Sequence, residues 1–316
     1  MSQQIIQMQR SSLVRIFLLA LLLARLARAE GPAGLALKAG DVVAFIGGAD
    51  VSSAQQTSHL ESLLTLGHPK VRFRNFGWEG DTVFTQPRDF AFPGLAEQMR
   101  RAGTTVIVAQ FGRAEALAGK DPAFRPAYHS LLQKLRKVTS RLVLVAPPPF
   151  EKGGGLLPDL TSRNEILSEY ARETADLAAD LNLGFIDLYS SLQNPPARLT
   201  EDGLQLSAKG QGISAQAFSK EIGQGDDARW AGRVGEDGSW EKRSIEQLRQ
   251  LIISKNRSWF NYWRPQNWAF LGGDRTEQPS SRDHRDPKVR WFPGEIQKFQ
   301  DLMQNQERAI SELALK

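Results

Sequence analysis

Cysteine is absent from the 316 residues, and histidine occurs only four times. The first absence excludes disulfides, thiolate-held zinc or iron–sulfur sites, cysteine nucleophiles and a lipidated cysteine anchor. The second argues against an imidazole-rich metal centre, so no metal and no cofactor is expected. Long apolar runs are scarce as well. The run at 16–24 is far shorter than the roughly 20 residues that span a bilayer. What remains, 41% hydrophobic and 24% charged, is an ordinary globular composition with chain enough for about two domains. Chemistry must come from hydroxyls, carboxylates, amides and a few imidazoles.

The net charge of +5 suggests nucleic acid until its distribution is read. Residues 1–29 hold Arg10, Arg15, Arg25 and Arg28 and no acid, so the rest of the chain sets 36 basic against 35 acidic residues. With no lysine or arginine run in that remainder, nucleic acid is not an expected partner. The same 29 residues combine a basic start, the apolar run and Ala27-Arg28-Ala29 before Glu30. That is the pattern of a secretory signal peptide, removed at Glu30. It predicts a periplasmic or extracellular protein with no transmembrane anchor in its mature form.

From 41 to 223 short apolar runs at 42–46, 71–76, 105–110, 141–146 and 184–188 alternate with helical patterns. Such runs fit strands buried on both faces. Tyr128, Leu131, Leu132, Leu135 and Val138 share one helical face, with Pro126 near its start. Ile166, Tyr170, Leu177 and Leu181 form the stripe of a longer helix. The alternation predicts an α/β fold with a parallel five-stranded sheet covered on both sides, whose ligands bind beyond the carboxyl ends of the strands. Gly223-Gln-Gly225-Asp-Asp reads as a linker, and six of the seven tryptophans follow it. Residues 30–227 are therefore expected to form the α/β domain and 228–316 a tryptophan-rich, mainly helical extension. Within it, Ser244 and Gln247 suggest a capping box, and Pro293-Gly294 the start of a final helix.

The chemistry lies in the loops after the strands. The first strand runs into Gly47-Gly48-Ala49-Asp50. The second ends in Asn75-Phe-Gly77-Trp-Glu-Gly80-Asp81-Thr82, and the third in Gly112-Arg-Ala114-Glu115. After the fifth comes Leu199-Thr-Glu-Asp202-Gly-Leu-Gln205-Leu-Ser207. In this order the blocks resemble those of the SGNH (GDSL-type) hydrolases, a family of esterases and lipases. The resemblance covers about residues 41–223 and implies a three-layer α/β/α, flavodoxin-like fold. The tail is similar to an extension found on some secreted bacterial members.

Carried over residue by residue, the resemblance puts the family's nucleophilic serine at Ala49 and its oxyanion asparagine at Ala114. Its histidine base falls at Gln205. The oxyanion glycine, Gly80, and the aspartate, Asp202, are kept. Alanine has no nucleophilic atom, and a glutamine amide takes no proton near neutral pH. Ala49, Gly80, Ala114, Asp202 and Gln205 thus read as a vestigial pocket. Asp50, Ser52 and Ser53 are the candidates for a substitute chemistry, set against ordinary roles: Asp50 or the serines as helix caps, Asp202 as the brace of its own loop. Two readings stand. One is a catalytically degraded esterase keeping a binding or scaffolding role at the cell envelope. The other is a hydrolase of acylated carbohydrate or envelope material acting through non-standard residues. Partners in either case are a carbohydrate or acylated envelope ligand. A protein partner held by the tail's tryptophans is a further candidate, unless those rings simply pack against the α/β domain.

Overall fold

The computed structural model describes residues 35–315; the expected signal peptide at 1–29 lies outside them. Five strands form one sheet: β1 (Val42–Gly47), β2 (Arg72–Asn75), β3 (Val106–Gln110), β4 (Leu142–Ala146) and β5 (Gly184–Asp187). Every pairing is parallel, in the order β2-β1-β3-β4-β5. This is the flavodoxin-like order, and the chain has the expected α/β fold.

Side chains alternate along each strand, and so build two cores. Ala44, Ile46, Ile107, Ala109, Leu142 and Leu144 face one side, under α3 (Leu95–Arg101), α5 (Phe124–Leu135) and α6 (Asn164–Asp180). Val43, Val106, Val108, Val143 and Val145 face the other, under α2 (His59–Gly67) and α7 (Ala208–Glu221). Two short helices complete the loops around the strand ends: α1 (Ala49–Thr57) and α4 (Arg113–Ala118). α5 stops at Leu135, so the expected stripe residue Val138 packs against the core from the following turn.

The linker-like segment is a turn at Gly223, with φ of 81°, that passes directly into helix α8 (Gly225–Ala231). Two long helices follow, α9 (Arg243–Trp263) and α10 (Trp291–Ala314). Ser244 does not cap α9: the helix begins one residue earlier, after Lys242, with no side-chain cap. The Glu246 carboxylate instead accepts the backbone N–H of Trp240 at 2.9 Å. α9 runs on through Trp259 and Trp263, and both rings, with Met303 of α10, join the core that contains Phe76. Trp240, Trp259 and Trp263 are buried, whereas Trp230 and Trp291 remain half-exposed. No described helix is long and apolar enough to cross a membrane.

His59, at the start of α2, ties the extension to the α/β body. Its Nε2–H donates to the Gly238 carbonyl at 2.6 Å, its ring meets Trp240 edge-on at 5.3 Å, and Nδ1 has no partner. Burial pushes the imidazole down to about 4. In the unfolded chain the proton binds near 6.5. Stability is therefore full above pH 6.5 and declines as pH falls toward 4, by about 3 kcal/mol in all. His59→Gln, which keeps an N–H donor near the same place, is expected to flatten that acid limb in thermal melts between pH 7 and 4.5. Equal slopes for the two proteins would refute it.

Candidate functional site

Two glycines bring the strand-end loops together. A Cβ on Gly47 would lie 2.2 Å from the Gln110 carbonyl oxygen, and one on Gly77 would lie 2.4 Å from the Ser52 nitrogen. No larger residue fits at either place, because the obstructing atoms are backbone. The first approach joins the ends of β1 and β3, and the second presses the β2 loop onto α1.

Around that junction lies a cleft of about 470 Å³. Ala49, Ala114, Asp202 and Gln205 all line it, contributed by three separate loops. Gly80 does not line it but sits in a turn between two residues that do, Glu79 and Asp81. Asp50, Ser52 and Ser53 line it too, from the first turns of α1.

The carboxylates of the cleft are already engaged. Asp202 Oδ1 accepts the backbone N–H groups of Leu204 at 2.9 Å and Gln205 at 2.6 Å, so Asp202 braces its own loop. Burial pushes its carboxyl up, but these two N–H groups outweigh that and hold it below the ordinary value. Asp50 is not a helix cap: α1 has no side-chain cap, and Asp50 faces the Arg113 guanidinium at 3.2 Å. Arg113 is buried, donates to the Leu204 carbonyl at 2.6 Å and lies 4.8 Å from the Phe150 ring centre, while its Nε has no partner. Glu115 also lines the cleft but is buried, and it accepts N–H groups from Val83 and Gly112; burial nonetheless raises its carboxyl above the usual value.

Ser53 donates to the Asp50 carbonyl at 3.0 Å, an ordinary first-turn bond. Ser52 is different. Its hydroxyl donates to Glu79 Oε1 at 2.7 Å, and Glu79 Oε2 accepts from Arg264 at 2.8 Å. Burial pushes the Glu79 carboxyl up, but the Ser52 hydroxyl and the Arg264 guanidinium overcome this and leave it low. Arg264 also lies 3.7 Å from the Trp78 ring centre, on the same loop as Glu79. The extension thus supplies a charge to the cleft rim.

The sequence-to-family comparison decides the lineage: the model of the GDSL-like lipase/acylhydrolase family matches residues 39–213, more than half of the chain. The chain belongs to that family. This GDSL-family chain also resembles solved structures. A gut microbial diltiazem-metabolizing enzyme aligns over 90% of this chain and 97% of its own, with 13% identity and a TM-score of 0.57. An acetylxylan esterase from Geobacillus stearothermophilus aligns over 58% of this chain and 95% of its own, with 18% identity and a TM-score of 0.44. The inhibitor-bound aryl esterase of M. smegmatis gives 58% and 98%, with 12% identity and a TM-score of 0.44. At these identities the likeness is one of fold. No curated protein matches the sequence.

Within the family frame, the structure adds residues that motif reading passed over. Arg113 comes just before Ala114, where sequence spacing gives no hint that it pairs with Asp50. Arg264 stands 185 residues from Glu79, and no local pattern signals that contact. No group of three or more metal-binding side chains occurs among the described residues.

Proposed function

We propose that this GDSL-family protein is an exported, catalytically degraded esterase whose cleft binds a polyhydroxylated ligand without cleaving it. The observation that carries the reading is the chemistry of the cleft wall. Where ester hydrolysis needs a nucleophile, an oxyanion donor and a base, Ala49, Ala114 and Gln205 stand together on one cavity. What the cavity offers instead is a ring of acceptors and donors: the carboxylates of Asp50, Glu79 and Asp202, the Gln205 amide and the Arg113 guanidinium. Carboxylates outnumber the cation there, which favours hydroxyl donors over anions. Acylated carbohydrate of a cell envelope has that chemistry. The basic, apolar and A-x-A pattern of 1–29 supports delivery to the periplasm or the medium, and a mature N-terminus at Glu30, read by mass spectrometry, is the expected result.

The Ser52–Glu79 bond is the one arrangement that favours the hydrolytic reading. A general base works best when its pKa lies near the working pH, and Glu79 is held low and shared with Arg264. As a base toward the serine hydroxyl it is therefore poor. The test uses acetylated xylo-oligosaccharide as the probe, followed by NMR. Line broadening that is lost in Asp202→Ala, with no acetate release from the parent chain, supports binding in the cleft without turnover. Acetate release above background that disappears in Ser52→Ala or Asp202→Ala would overturn it.

A further inference from the structure

A second cavity, of about 490 Å³, lies where α9 and α10 meet β2 and α3. None of its lining residues also lines the cleft. One wall is aromatic, made by Trp259, Tyr262, Trp263 and Trp268. The polar lining is mostly side-chain amide: Gln98 on α3 and Gln297, Gln300 and Gln304 on α10. Two of its cations are committed, Arg74 to Glu307 and Arg101 to Glu97. Tyr262 and Gln300 are hydrogen-bonded to each other, which fixes ring and amide side by side. Trp263 is 4% exposed, and its indole N–H finds no partner, unlike that of Trp259, which donates to the Asn75 carbonyl.

Flat indole and phenol rings beside amides that each carry a donor and an acceptor suit one ligand chemistry in particular. A pyranose presents a flat face of C–H groups to the partly exposed Tyr262 and Trp268 rings, Trp259 and Trp263 being only 4% exposed, and a perimeter of hydroxyls to the amides. A charged ligand would find Arg74, Arg101 and Glu307 already paired, with Arg72 left as a single exposed cation, and an amphipathic peptide helix would leave the Gln98 and Gln304 amides without partners. We propose that this groove is a second site, built jointly by the extension and the β2 edge, which holds a neutral oligosaccharide. The site stands apart from the cleft, and its aromatic wall reaches the cleft rim through Trp263, which meets Trp78 edge-on at 5.8 Å. Phe92 continues that wall between Trp78 and Trp268, at 5.5 and 4.8 Å.

The full mature chain is titrated with xylohexaose, cellohexaose and chitohexaose, by calorimetry and by tryptophan fluorescence. Saturable binding of at least one is expected, weakened about ten-fold or more by Trp268→Ala. Gln304→Ala alters an exposed residue on α10 and keeps the fold intact, so its expected weakening of a few-fold guards against a Trp268→Ala protein that fails to fold. Absence of saturable binding to all three sugars would overturn the proposal. So would binding that survives both groove variants, or that falls with Asp202→Ala instead, since either places the sugar elsewhere.

Discussion

Ala49→Ser, Ala114→Asn and Gln205→His, introduced together, are expected to raise p-nitrophenyl acetate hydrolysis about 10²- to 10³-fold over the parent chain, while each single replacement stays at the parent's rate. The non-additivity follows from the roles involved. A serine without a base keeps its proton, and a base without a nucleophile has nothing to activate. The remaining parts are in place: residues 49, 114 and 205 share the cleft with Asp202, and both backbone bonds to Asp202 fall on Oδ1. Oδ2 is thus the oxygen that would orient a histidine at 205. Full family-level activity is not expected, because the Arg113–Asp50 pair occupies part of the cavity. A folded triple variant as inert as the parent would count against the assignment of these positions.

Lys255→Ala is expected to destabilise the protein by about 3–5 kcal/mol, the cost of leaving one member of a buried ion pair alone. At roughly 2–4 °C per kcal/mol for a chain of this order, the melting temperature should fall on the order of 10 °C. Lys255 lies on α9 and is 1% exposed. Its ammonium donates to Glu61 at 2.6 Å, to Asn256 Oδ1 at 2.6 Å and to the Phe73 carbonyl at 3.2 Å. Asn256 closes the network by donating to the other Glu61 oxygen and to Ser58. Burial pushes the ammonium pKa down, and the neighbouring Glu61 carboxylate works against that shift. The network joins the extension to α2 and β2 through polar groups that must all be satisfied at once. Lys255→Met with Glu61→Gln removes both charges and should recover most of the lost stability, since an uncharged buried pair has no ion to desolvate. A loss below about 1 kcal/mol for Lys255→Ala would show that the seam does not depend on the ion pair.

Much of the α/β body could be read from sequence, because its signals are local. A strand buried on both faces is a short apolar run, and all five runs became strands: the first gains Gly47, and the other four lose one residue at one or both ends. The loop blocks were legible for the same reason: Gly47, Gly77 and Gly112 mark turns that only the strand ends require. The extension was less so. Ser244 and Gln247 have the spacing of a capping box, yet the backbone of Lys242 and Arg243 already leads into α9, and Glu246 takes up the Trp240 N–H. Gly223 to Asp227 looks like a linker, but tertiary packing turns most of it into α8. The contacts that define the cleft rim and the seam, Arg264 with Glu79 and Lys255 with Glu61, link residues nearly 200 apart. Periodicity carries no information at that range. Nor could spacing say that Ser52, a first-turn serine, would turn toward a carboxylate.

The proposed state of this chain is a cleft that keeps the geometry of a GDSL hydrolase without its nucleophile. Intact-mass analysis after incubation with a serine-directed fluorophosphonate tests both halves at once, on the parent chain and on the triple variant side by side. No adduct is expected on the parent, and a single adduct, mapped to position 49, is expected on the variant. An adduct on the parent at Ser52 or Ser53 would contradict the proposed state.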